Sequence, residues 1–95
     1  MSPTNKKKLL KLRKKLDLLD SKLLNLLKIR SDYVKKVLSL KEYKKEIVDK
    51  KRIRAILYNI QKKSKKKKID VKITKSIWTS MIRAYIQYEF RNFKK

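Results

Sequence analysis

Arg30 occupies a position that the sequence pattern reserves for leucine. Leu9, Leu12, Leu16, Leu19, Leu23 and Leu26 recur at alternating three- and four-residue steps. The next position in that rhythm is Arg30, and Tyr33, Val37 and Leu40 then resume it. Glu89 is a second charge on an apolar stripe, four residues after Tyr85 and eleven after Trp78. A charge on a core-facing stripe costs free energy unless it is paired or binds a ligand. The plain explanation is that Arg30 and Glu89 pair with each other, or that Arg30 reaches out to water along its own stem. Two further cations make a binding role more specific. Arg13 lies near the start of the same leucine pattern and Lys41 at its end. Arginine grips carboxylates through two parallel hydrogen bonds, so this set suits a small molecule with two carboxylates.

Such a site must be carried by helices. The chain has no Gly and one Pro, while tight hairpins usually need Gly or Asn-Gly turns. Leu, Lys, Ile and Arg dominate, and the periodicity is helical throughout. Three helices account for it. The first runs from about Asn5 to about Leu40, roughly 50 Å at ~1.5 Å per residue, with the spacing of a supercoiled seam. Two shorter helices of a 95-residue chain cannot cover it, so a second copy alongside is the simplest cover. Residues 41–48 break the rhythm and read as a connection, either a lid beside Lys41 or a plain solvated loop. Asp49 caps a second helix over about 50–65, with Ile53, Ile56, Leu57 and Ile60 as its apolar face. The lysine run 62–68 should repel itself and form a solvated loop. Asp70 or Thr74 starts a third helix carrying Ile73, Ile77, Trp78, Met81, Ile82, Tyr85, Ile86, Phe90 and Phe93. Residues 1–95 are thus expected to form one domain, with a disordered basic N-terminus over 1–8.

The distance along the first helix bears on the site. Arg13 and Arg30 are 17 residues apart, about 25 Å, and cannot share a small ligand within one chain. Across an antiparallel dimer, Arg13 of one subunit could approach Arg30 of the other. The expected pocket is lined by Arg30 and Lys41 and closed by Arg13 of the partner subunit.

Composition removes several chemistries. There is no Cys and no His, which excludes thiol nucleophiles, histidine acid–base chemistry and Cys/His zinc sites. No signal peptide and no membrane-spanning run is seen, so a cytoplasmic location is the default. The formal charge of +23 attracts anions of any kind. A basic helical nucleic-acid-binding protein is therefore a rival reading, supported by the lysine run and five tyrosines. Against it, the tyrosines mostly fall on or beside apolar stripes, and the lysines are spread around every helix. Weak, salt-sensitive DNA binding is expected from charge alone, but no specific nucleic acid. A purely structural dimer explains the seam but not the set Arg13, Arg30, Lys41 and Glu89. A membrane-surface role is disfavoured because the apolar stripes look committed to a core.

The run Leu12-Arg13, Leu16, Asp20, Leu23-Leu24, Leu26-Leu27, Arg30, Lys41, Asp49-x-x-Arg52 and Glu89 resembles the all-helical chorismate mutase family, from about Leu10 to Phe93. The resemblance implies an intertwined homodimer whose long first helices cross between subunits. It places Arg13 in the partner's pocket, and Arg30 and Lys41 in the chain's own. Within the family the chain looks closest to the isochorismate-pyruvate lyases of salicylate and siderophore synthesis. The features are Arg30-Ser31-Asp32-Tyr33-Val34-Lys35, Arg52 followed by aliphatic Ile53, and Ala84-Tyr85-Ile86. In mutases the residue after that arginine is commonly polar and bonds the ring hydroxyl of chorismate, which Ile53 cannot do. The expected activity is thus isochorismate pyruvate-lyase with weaker mutase activity. A primary chorismate mutase of aromatic amino acid synthesis is the alternative.

Both reactions are pericyclic and need no nucleophile, metal or cofactor. The protein must hold the dianion in a reactive conformation and stabilise charge growing on the breaking ether oxygen. The resemblance implies that Lys41 is aimed at that oxygen. Arg30 and Arg13 of the partner subunit clamp the carboxylates, while Asp49, Arg52, Ile53, Tyr85 and Ile86 shape the wall. Glu89 stands where this branch carries a glutamine that donates a hydrogen bond to the ether oxygen. A carboxylate donates only when protonated, so activity is expected to fall as pH rises.

Overall fold

The computed structural model describes residues 1–94, which form three helices and, among the described residues, no strand. Helix α1 spans Pro3–Leu40, α2 Lys50–Lys66 and α3 Val71–Asn92. The chain divides into two compact units, residues 1–33 and 34 onward.

The first unit is a single helical rod. Ser2 accepts the backbone N–H of Asn5 on its Oγ at 3.1 Å, and Pro3 takes the first helical position, where its missing N–H costs nothing. This start signal makes residues 3–8 helical, where disorder was expected. An i,i+4 ion pair, Lys28 to Asp32 at 2.8 Å, lies on the solvent side. No residue of α1 is buried. Leu12, Leu16, Leu19, Leu23 and Leu26 are each more than half exposed.

The second unit packs α2 against α3. Asp49 caps α2 by accepting the Arg52 N–H at 3.0 Å, and Asp70 caps α3 by accepting the Lys72 N–H at 2.8 Å. Thr74, the other proposed start of the third helix, lies inside it and is buried. Ser64 Oγ bonds the Ile60 carbonyl at 2.6 Å and the Thr74 hydroxyl at 2.8 Å, tying the two helices together.

Helix α2 therefore continues through Lys66, and only 67–68 of the expected lysine loop leave it. The repulsion was overestimated. Like-charge pairs four apart cost a few tenths of a kcal/mol, while lysines in a last helical turn are favoured by the helix dipole. The buried Ser64 pins the same turn. Helix α2 closes with Lys68 at φ 58°, the Ile69 N–H on the Ser64 carbonyl and the Lys68 N–H on the Lys65 carbonyl. This is the Schellman arrangement, made without glycine.

The 41–48 connection is held more firmly than a solvated loop. Lys44–Glu46 form one turn of 3₁₀ helix. Glu46 Oε2 accepts the N–H groups of Glu42 and Tyr43 at 2.7 and 3.2 Å. These bonds, that of Tyr43 foremost, hold the Glu46 carboxyl below its ordinary value. Ile47, next in sequence, is 3% exposed and is the most buried apolar side chain described. On α3 the expected stripe is covered in part. Trp78, Met81, Ile82, Tyr85, Ile86 and Phe93 are half-buried, whereas Ile73, Ile77 and Phe90 are exposed.

Candidate active site

Lys41 is the first residue beyond α1, and its N–H still bonds the Leu38 carbonyl at 3.1 Å. Leaving the helix there frees its side chain from the seam. Its Nζ donates to Glu89 Oε1 at 2.9 Å. The two side chains are 17% and 8% exposed. Losing either partner would leave the other's polar head buried and uncompensated. The anticipated partner of Glu89 was Arg30, and here it receives Lys41.

Beside the pair lies a cavity of about 380 Å³ lined by Lys35, Leu38, Lys41, Tyr88, Asn92 and Phe93. Asn92 Nδ2 donates to the Tyr88 carbonyl at 2.9 Å. Tyr88 and Asn92 were not foreseen as part of a site. The signal was present in the helical period: Asn92 and Phe93 stand three and four residues after Glu89 and so share its face.

The other expected residues are distributed as follows. Asp49 is engaged as the α2 cap, so its carboxylate positions the Arg52 backbone at the helix start. Arg52 is exposed and Ile53 half-buried in that first turn. Tyr85 and Ile86 precede Glu89 by four and three residues on α3, both half-buried. Arg13 is exposed and Arg30 partly buried on α1. About 25 Å of helix separates them, so one small ligand cannot touch both within a chain. Among the described residues no group of three or more carboxylates comes together that could hold a metal ion. No described helix is long and apolar enough to cross a membrane.

The buried ammonium–carboxylate pair beside a cavity, on a wholly helical scaffold without Cys or His, offers a cation where an anionic ligand can be held without nucleophilic chemistry. The comparison with known families agrees. The family model described as chorismate mutase type II matches residues 12–90, and the chain belongs to that family. The matched stretch includes Arg13, Arg30, Lys41, Asp49, Arg52, Ile53, Tyr85, Ile86 and Glu89. No curated protein and no solved structure matches the chain.

Proposed function

We propose that this enzyme is an isochorismate pyruvate-lyase that yields salicylate and pyruvate, with weaker chorismate mutase activity in the same pocket. The observation that carries the choice is Ile53. It follows Arg52 in the first turn of α2, where a mutase needs a polar side chain for the ring hydroxyl of chorismate. An aliphatic side chain cannot make that bond, and it suits a ring whose hydroxyl lies elsewhere. The alternative, a primary chorismate mutase, is favoured by the family whose model matches.

In either reaction the ether C–O bond breaks and negative charge grows on its oxygen. Lys41 donates to that oxygen. Arg30 and Arg13 of the partner subunit hold the two carboxylates, in a homodimer that covers the exposed leucine seam of α1. Arg52, Tyr85 and Ile86 orient the ring. In the ligand-free chain Lys41 is engaged by Glu89, whose negative charge also opposes an incoming dianion. Glu89→Gln removes that charge, frees Lys41 for the substrate and supplies an amide donor. It should raise turnover, and unchanged or lower turnover would remove this role.

The test offers the purified protein isochorismate and chorismate separately, at pH 5 and 7.5. Salicylate is followed by fluorescence and chorismate loss by absorbance. Salicylate formed far above the uncatalysed rate, with slow chorismate turnover, supports the lyase. Fast conversion of chorismate to prephenate without salicylate makes the enzyme a mutase and shows that Ile53 does not set the substrate.

A further inference from the structure

The pocket chemistry leaves one feature of α2 without a role. From residue 50 to residue 69 the chain has ten Lys or Arg and no Asp or Glu. On the helix these are not spread evenly. Ile53, Ile56, Leu57, Ile60 and buried Ser64 share the packed face. Lys51, Arg54, Tyr58, Lys62 and Lys65 recur at steps of three, four, four and three along a side of the helix turned away from that face, with Arg54 and Tyr58 bordering the cavity between α2 and α3. All five are exposed. The stripe is straight and about 21 Å long at ~1.5 Å per residue. Ser64, bonded to Thr74 on α3, keeps the packed face of α2 against its neighbour.

We propose that this face of α2 binds single-stranded nucleic acid along its phosphate backbone, without sequence preference. A row of cations with no intervening carboxylate matches a regularly charged polyanion. Lysine ammonium groups act as point charges and suit phosphates approached from many angles. Tyr58 marks the single strand. It is 60% exposed in the middle of the stripe, with Lys62 Nζ 5.3 Å from its ring centroid, and an unpaired base can stack on such a ring. A membrane surface is a poorer match. An interfacial helix inserts an apolar face, whereas the apolar residues of α2 face its packed side and Tyr58 is the one aromatic in the outward row.

The experiment measures anisotropy of a fluorescein-labelled single-stranded 20-mer of mixed sequence, and of its duplex, from 50 to 300 mM salt. Three variants of the full chain are compared. One replaces Lys51, Arg54, Lys62 and Lys65 with Gln, a residue of similar helix propensity. One replaces Lys7, Lys11, Lys14 and Lys22 with Gln, removing the same charge elsewhere. The third is Tyr58→Ala. Circular dichroism and the unfolding midpoint establish that each is folded. The stripe variant should lose at least tenfold in affinity at 100 mM salt. Its plot of log affinity against log salt should flatten by up to about 3 in slope, at ~0.7 per lost phosphate contact. The control variant should lose no more than threefold. Tyr58→Ala should weaken single-strand binding at least fivefold and duplex binding little. Equal losses in the two charge variants would reduce the binding to net charge and overturn the proposal. Capture by phosphatidylserine vesicles at a salt concentration that abolishes oligonucleotide binding would overturn it too.

Discussion

Residues 1–33 and residues 34–94 are written in much the same alphabet of leucine, isoleucine and lysine, yet they treat their apolar side chains in opposite ways. The first unit buries none, although its leucines keep a regular three–four spacing over nearly five turns. The second buries Ile47, Ser64, Thr74 and Glu89, three of them polar and each hydrogen-bonded or ion-paired apart from aliphatic Ile47. In the homodimer proposed above, this regular seam is the face that the second copy covers, and each leucine left in water forgoes about 1.5–3 kcal/mol of burial. In the second unit the best-buried groups are mostly polar, and each polar one is held by a partner from another element. The comparison teaches that periodicity and burial answer different questions. Spacing says which residues share a face, and only the partner decides whether that face is inside.

The hardest test of this contrast is Leu16→Asp combined with Leu23→Asp. If the seam is covered in solution, the pair should cost about 3–6 kcal/mol from lost burial alone. The sedimenting species should fall to a monomer with a concentration-independent melting temperature. On a free helix face the same changes would stay within about 0.5 kcal/mol each, and such a result would break the contrast. Next is Lys41→Ala in the second unit. Turnover should drop by a factor on the order of 10² to 10³, about 2.7–4 kcal/mol, the usual loss for one donor to a developing oxyanion. Near-parental turnover would remove Lys41 from the chemistry. Ser64→Ala is gentler. It leaves a buried Thr74 hydroxyl short of its 2.8 Å partner and should lower stability by about 1–3 kcal/mol in denaturant titration, with no change of oligomeric state. The mildest effect belongs to Glu46. Its carboxyl is held below the ordinary 4.5, so its contribution is present above that pH and fades as pH falls through the lowered value. Acidification below about 4.5 should lower the protection factors of the Glu42 and Tyr43 amides, corrected for the intrinsic pH dependence of exchange, while Glu46→Gln should show no such change between pH 6 and 3.

Much of the framework was legible in the chain itself. Asp49 and Asp70 announce the starts of α2 and α3 because a short acidic side chain just before an apolar period satisfies orphan N–H groups. The site was legible in part. Glu89 stood out as a charge on an apolar stripe, but its partner did not, because Lys41 lies one residue past the seam, where periodicity assigns no face. Ile47 was hidden for a similar reason: one apolar residue among KEYKKEIV has no period to betray it. The lysine run was misjudged because its repulsion was weighed without Ser64, whose burial depends on Thr74 ten residues away.

Lys68 carries a consequence for how this sequence could change. A side chain with a Cβ at φ 58° strains the backbone by roughly 1–2 kcal/mol, and the chain has no glycine anywhere to relieve it. In a library randomised at that codon and sorted for thermal survival, Gly should rise first and Asn second, while Ile and Val vanish. A composition so strongly helical has left the corner between α2 and α3 in the hands of a residue unsuited to it, so an easy gain in robustness for a descendant of this protein lies at a turn, away from Lys41 and Glu89.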